Sequence, residues 1–213
     1  MIQFKKFVFN PLQVNCWLVY DESGNCVIFD PSCISNEEQK ELSEYIYQKK
    51  LKPLAVIITH GHFDHVPGVS FVVEEFGCPF MGHLKDLPLL EFAPQQAGVF
   101  GVNMDAPPSR FDRALVHKET LELGHMNFRV LHVPGHSEGS LAFYSQEGGF
   151  VIVGDVLFKG SIGRTDLPGG DYNTLINSIR THLLVLPEGT IVMPGHGPES
   201  TVGFEKNSNP FLR

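Results

Sequence analysis

Between residues 59 and 65 the chain reads Thr59-His60-Gly61-His62-Phe63-Asp64-His65, with four metal-competent side chains in the last six residues. Imidazoles and a carboxylate crowd this closely when a cation is there to be shared. Residues two apart in extended backbone project to the same side, so His60 and His62 can share one ion. Adjacent Asp64 and His65 diverge and can reach a second. The motif follows Leu54-Ala55-Val56-Ile57-Ile58, a continuous apolar run of the kind buried on both faces of a sheet. A fold that accommodates this stretch has to deliver a ligand loop at the end of a buried strand.

Three further signals also follow predicted strands. Val133-Pro134-Gly135-His136 follows the run from Phe128, Gly154-Asp155 follows Phe150 to Val153, and Pro194-Gly195-His196-Gly197-Pro198 follows Thr190 to Met193. One histidine after a turn is weak evidence, but together these supply the missing ligands. His136 would complete a three-histidine set with His60 and His62, His196 would join Asp64 and His65, and the Asp155 carboxylate could bridge both ions. Nitrogen and carboxylate donors suit zinc, iron or manganese, and with no cysteine in the set its identity stays open, zinc being the metal expected.

The rest of the pattern alternates strands and helices. Phe4 to Phe9, Cys16 to Tyr20 and Cys26 to Phe29 read as antiparallel strands, with Asp21 to Asn25 as a hairpin turn. Asn36 to Lys50 has helical spacing, with Leu42 and Ile46 on one face and Asn36 or Ser35 as N-cap. A second helix is expected through Phe76 and a third from about Tyr172 to Leu184, with further strands near Thr120 to Leu123 and Ser140 to Tyr144. Glu91 to Arg113 holds Pro94, Gly98, Gly101, Pro107 and Pro108, which predicts a long loop or broken helix, first of all a surface connection whose apolar residues pack down and in the alternative a segment overhanging a site. No repeat, linker or low-complexity tract interrupts residues 1–213, so a single domain is expected.

Composition excludes several function classes. Sixteen basic residues against 24 acidic ones leave a net charge of -8 with no basic stripe, which disfavours a nucleic-acid partner. The longest stretch without Asp, Glu, Lys or Arg, Phe7 to Tyr20, is 14 residues, too short to span a membrane. The start, Met1 to Lys6, lacks signal-peptide order, so a cytoplasmic setting is expected. Cys16, Cys26, Cys33 and Cys78 form no C-x-x-C pair and read as buried free thiols. The other histidines, His83, His117, His125, His132 and His182, have no clustered partners in the sequence and are assigned to structure or surface.

The H-x-H-x-D-H motif, the later Gly-His, the Gly-Asp and the Pro-Gly-His-Gly-Pro, in that order over nearly the whole chain, resemble the metallo-β-lactamase superfamily. Gly163-Arg164-Thr165-Asp166-Leu167-Pro168-Gly169-Gly170-Asp171 and the ending Asn209-Pro210-Phe211-Leu212 resemble short glyoxalase II-like hydrolases within it. The resemblance implies an α/β fold, a four-layer αββα sandwich with the metals at one edge of the sheets. It implies two divalent ions, His60, His62 and His136 on the first, Asp64, His65 and His196 on the second, Asp155 on both. It also implies hydrolysis of a small thioester such as S-lactoylglutathione by a metal-bridging hydroxide, which Asp64 and Asp155 would position.

Arg164 matches a basic residue that contacts the glutathione moiety in that family, and a structural pair with Asp166 or Asp171 is its alternative role. The longer glyoxalase II enzymes carry an extra helical region that helps hold glutathione, and residues 1–213 are expected to lack it. Sulfur dioxygenases of the same superfamily share the Gly-Arg-Thr-Asp segment and use one Fe(II), which here would fall to His60, His136 and Asp155. A non-catalytic metal-binding module is the third reading. Monomer and homodimer are both compatible with the sequence.

Overall fold

The computed structural model describes residues 1–213, and its elements form two six-stranded sheets packed face to face. The first sheet takes its strands in chain order: β1 (Gln3–Phe9), β2 (Val14–Tyr20), β3 (Asn25–Phe29), β4 (Lys52–Ile57), β5 (Phe80–Gly82) and β6 (Arg113–Ala114). Pairing is antiparallel through β3 and parallel from β3 to β6. The second sheet is built from β7 (Thr120–Leu123), β8 (Met126–His132), β9 (Leu141–Ser145), β10 (Phe150–Gly154), β13 (Ile191–Pro194) and β14 (Ser200–Thr201). Its spatial order is β14-β13-β10-β9-β8-β7. A small hairpin, β11 (Leu157–Phe158) with β12 (Ser161–Ile162), leaves the end of β10.

Strand alternation explains why there are four layers. In β2, Cys16 and Leu18 face a core shared with α1 (Asn36–Gln48), α2 (Val69–Phe76) and α3 (Leu87–Val99), while Trp17 and Val19 face the other sheet. In β10, Phe150 and Ile152 point to that middle core, and Val151 and Val153 meet α4 (Tyr172–Ser178) on the far side. Each fully buried aliphatic or aromatic side chain contributes about 1.5–3 kcal/mol, so both faces of both sheets need cover. The four cysteines are free and buried in the outer core of the first sheet. No helix is long and apolar enough to cross a membrane.

Local signals account for most element ends. Ser35 caps α1 with a full capping box, its hydroxyl accepting from Glu38 N–H while the Glu38 carboxylate takes the Ser35 N–H.

Two expectations change. Leu87 to Val99 is helical despite Pro94, because Leu90, Ala93 and Ala97 bury one stripe against the first sheet, so packing prevails over the lost hydrogen bond. Only residues 100–112 of the expected long loop remain irregular. The helix from Tyr172 stops as α-helix at Ser178 and continues as a wider π turn, Ile179–Leu183, where Leu184 N–H bonds the Ile179 carbonyl. The final helix, α5 (Val202–Ser208), follows β14 and carries the buried Glu205.

Candidate metal centre

All seven residues singled out by their motifs arrive at one edge of the sandwich. The β4–α2 loop carries His60, His62, Asp64 and His65. The β8–β9 loop carries His136, the end of β10 carries Asp155, and the end of β13 carries His196. Three overlapping groups each bring their ligand atoms within 4.8 Å of one another: His60, His62 and His136; Asp64, His65 and His196; and His60, His65 and Asp155. His136 Nε2 lies 2.9 Å from His62 Nδ1 and 3.2 Å from His60 Nε2. His196 Nε2 lies 3.3 Å from Asp64 Oδ2 and 3.5 Å from Asp155 Oδ2. The approach is tight enough that a Cβ added to Gly195 would come within 2.2 Å of Asp155 Oδ1, which explains glycine before His196.

Outer hydrogen bonds decide which nitrogen each ring turns inward. His65 Nδ1 donates to Asp30 Oδ2 at 3.0 Å, His136 Nδ1 to the Arg164 carbonyl at 2.8 Å, and His196 Nδ1 to the Leu12 carbonyl at 3.0 Å. Thr59 Oγ1 donates to Asp30 and accepts from His60 Nδ1 at 3.0 Å. These four rings therefore turn Nε2 toward the cluster. His62 is turned the other way, with Nδ1 toward His136.

Asp30 was not among the residues singled out. It follows β3, which pairs with the strand β4 that leads to Thr59, and a carboxylate just past a neighbouring apolar strand was the available signal. Asn10 also went unnoticed, although it bonds the Asp64 carbonyl from the β1–β2 turn at 2.9 Å.

The electrostatics suit a cation. Burial and the neighbouring histidines hold His60 well below its ordinary value, and burial with His136 holds His62 down to about 3, so both rings are neutral donors. Burial opposes ionisation of Asp155 and Asp64, yet His65 and the other imidazoles beside them hold both carboxyls below the usual range. Burial likewise opposes charge on His65 and His196, and the carboxylates Asp155 and Asp64 overcome it, raising both. Those upward shifts reflect the negative charge of Asp155 and Asp64 in a largely buried place. His62 Nε2, His65 Nε2 and Asp155 Oδ1 are buried without a hydrogen-bond partner, and no other buried side-chain polar atom in the protein lacks one. Such orphaned groups are costly unless a ligand satisfies them. A nitrogen and carboxylate donor set with these orphans fits divalent metal ions.

Above the cluster lies a cavity of about 230 Å³ lined by Leu12, Phe63, Phe100 and Leu167 among polar groups that include Gln96 and Arg164. Phe63 and Phe100 stack at 5.1 Å. Gln96 near the end of α3 and Phe100 just after it thus form a wall of the site, where a surface connection was the favoured expectation for this segment and overhang its alternative. Arg164 lines the cavity and is also paired: Nε and Nη2 each donate to Asp166 at 2.8 Å, and both partners are exposed.

Four of the five histidines outside the motifs are not isolated, contrary to expectation; His125 alone meets no other histidine. His83 stacks on His132 with ring centroids 4.3 Å apart, and His117 meets His182 edge to face at 4.8 Å. The two pairs are joined where His132 N–H donates to His117 Nδ1 at 3.0 Å. Spacing in the sequence hides this group because its members come from four separate segments.

A family model described as the metallo-beta-lactamase superfamily matches residues 9–196. The chain is 43% identical over 204 residues to hydroxyacylglutathione hydrolase GloC of Haemophilus influenzae, covering 94% of this chain and 93% of that protein. The crystal structure of BLEG-1, a B3 metallo-beta-lactamase, superposes with a TM-score of 0.91 at 39% identity over 99% of both chains. That of TTHA1623 in a di-iron-bound form superposes with a TM-score of 0.88 at 42% identity, over 98% of this chain and 100% of that one. Motif order, layered fold and whole-length similarity agree: the chain belongs to the metallo-beta-lactamase superfamily.

Proposed function

We propose that the protein is a binuclear metallo-hydrolase that cleaves a small thioester, with His60, His62, His136 and Asp155 holding one divalent ion and Asp64, His65, His196 and Asp155 the other. The observation that carries this reading is the pair of three-ligand sets meeting at Asp155 beneath one cavity. When bound, two such ions supply a hydroxide nucleophile near neutral pH, by lowering the pKa of water from 15.7 toward about 7, and a Lewis acid for a carbonyl.

The chain's own groups do the rest. Asp64 and Asp155 stay ionised, so they orient and neutralise instead of delivering protons. Leu12, Phe63, Phe100 and Leu167 receive the apolar part of the substrate and keep bulk water from it. Arg164 lines the cavity with its Nε and Nη2 already held by Asp166, and its remaining guanidinium N–H groups suit a carboxylate on the substrate. The name of the Haemophilus influenzae relative supports a hydroxyacyl thioester of glutathione as the first substrate to try. Zinc is the first metal to try, and the di-iron form of TTHA1623 supports iron as the next. Four buried free thiols support a reducing, cytoplasmic setting.

A mononuclear Fe(II) dioxygenase would use only His60, His136 and Asp155, which leaves Asp64, His65 and His196 converging without a purpose. Elemental analysis of the protein as purified, paired with thiol release from S-lactoylglutathione, separates the two. About two equivalents of metal with thiol release is the expected result. About one equivalent of iron, with oxygen uptake on glutathione persulfide and no thiol release, would replace it by the dioxygenase.

A further inference from the structure

Asp86 closes the short 3-10 turn Leu84–Asp86 and stands at the N-cap of α3, buried to 1% exposure. An aspartate at this position ordinarily caps its own helix, and Asp86 makes no such bond. Its carboxylate reaches across to two other segments. Oδ2 accepts from Gly61 N–H at 2.9 Å and from Ser137 Oγ–H at 2.8 Å, and Oδ1 accepts from Gly139 N–H at 2.7 Å. Gly61 lies between His60 and His62, and Ser137 follows His136. One buried carboxylate therefore ties together the two loops that supply the whole three-histidine set.

The fit is close on both sides. A Cβ on Gly139 would come within 2.5 Å of Asp86 Oδ1, and one on Gly61 within 2.9 Å of the Asp86 carbonyl. Further along α3, Gln96 accepts from Phe63 N–H at 3.3 Å, so the same helix grips the ligand loop twice. The other ligand set has separate braces: Asp30 on His65, the Leu12 carbonyl on His196 and Asn10 on the Asp64 backbone.

We propose that Asp86 is a positioning residue that sets the spacing of His60, His62 and His136, and so the metal affinity of that half of the centre, without touching metal or substrate. The inference rests on the metal-binding reading above. It predicts a one-sided defect. Asp86→Asn puts an amide N–H against at least one of the three donors and removes the charge that draws them in, so the two loops lose their common anchor while the braces of the other set remain.

The test is a cobalt(II) titration of the metal-stripped, full-length protein, read by ligand-field absorption and by competition with a chelating dye. His62→Ala and His196→Ala identify which of the two affinities belongs to which set. Asp86→Asn is expected to weaken the three-histidine affinity roughly 10- to 100-fold, the range for a lost outer-shell partner, and to leave the other within about threefold. Ser137→Ala, which deletes one of the three bonds, is expected to weaken the same affinity by roughly three- to tenfold. Equal weakening of both affinities, or of neither, would overturn the proposal. If Asp86→Asn does not fold, an unchanged affinity in Ser137→Ala overturns it, and a one-sided loss there supports it. Failure of the wild-type protein to take up cobalt would bring down the metal reading and this role together, whereas uptake with unaltered variants removes the role of Asp86 alone.

Discussion

Two groups of histidines use the same ring in opposite ways. At the sheet edge five imidazoles turn nitrogens toward one another and toward Asp64 and Asp155, and the cluster contains all three of the protein's orphaned buried side-chain polar atoms. In the other group the rings of His83 and His132 lie nearly parallel, 15° apart, so their in-plane lone pairs cannot converge on one ion. The nitrogens there serve the backbone instead: His83 Nδ1 accepts from Lys85 N–H, and His132 Nε2 donates to the Glu138 carbonyl at 2.8 Å.

The surroundings differ in sign as well. In the sheet-edge cluster carboxylates raise His65 and His196, while burial and neighbouring imidazoles lower His60 and His62. In the other group burial, then His132 and Lys85, lower His83, and burial followed by neighbours that include Lys118 and Arg129 lowers His117 and His182, with no carboxylate raising any of these rings. Crowded imidazoles do not by themselves make a metal centre. Convergent lone pairs, interleaved carboxylates and unsatisfied atoms do.

The sharpest way to break this contrast is His62→Ala. It should lower metal content by elemental analysis and reduce thiol release on the order of 10³-fold or more, since both the nucleophile and the carbonyl polarisation depend on the intact set. A loss under tenfold would mean that the converging histidines are not the centre.

The second test uses pH. His83 is pushed down to about 4, below the 6.5 of an unfolded histidine. Between those values the unfolded chain binds more protons, so this contribution to stability is complete above pH 6.5 and is lost as pH falls toward 4. His83→Phe keeps a ring against His132 and removes the titration. The acid-induced fall in Tm should shrink by roughly 2–4 °C, the equivalent of about 1 kcal/mol after allowing for solvent screening of a half-exposed ring. An identical pH profile in both proteins would show that the stacked pair carries no such penalty.

Smaller effects sharpen the picture further. Arg164→Ala should raise KM for S-lactoylglutathione roughly fivefold with kcat little changed, and should leave Tm within about 2 °C because its exposed pair with Asp166 contributes little. A fall in kcat alone would place Arg164 nearer the chemistry than the cavity wall. His182→Ala should alter neither metal content nor turnover, by the same two assays. A loss matching that of His62→Ala would erase the distinction between the two groups.

Much of this was legible along the chain. The H-x-H-x-D-H stretch and the three strand-end motifs were readable because backbone period fixes the direction of neighbouring side chains and because strand ends collect at one edge. β7 matches its expected span residue for residue, and Cys26 to Phe29 and Phe150 to Val153 each fall one residue short of the observed strand. The helix across Pro94 was hidden, because its stability comes from Leu90, Ala93 and Ala97 meeting a sheet assembled elsewhere. The π turn at Ile179, the short strand β6 and the hairpin β11–β12 carry no local pattern long enough to register.

The sequence by itself determined the motifs that carry the family resemblance, most strand positions and which residues are chemically able to bind metal. These depend on residue identity and near-neighbour spacing. Tertiary structure alone decided which nitrogen each ring presents, through Asp30, Thr59 and the carbonyls of Arg164 and Leu12, the last of these 184 residues from His196. It also decided that Asp86 serves two loops instead of its own helix, and that His83, His117, His132 and His182 meet. The physical reason is the same in each case: a hydrogen bond or a ring contact is set by angstroms in space, and no periodicity of the chain encodes where distant segments will meet.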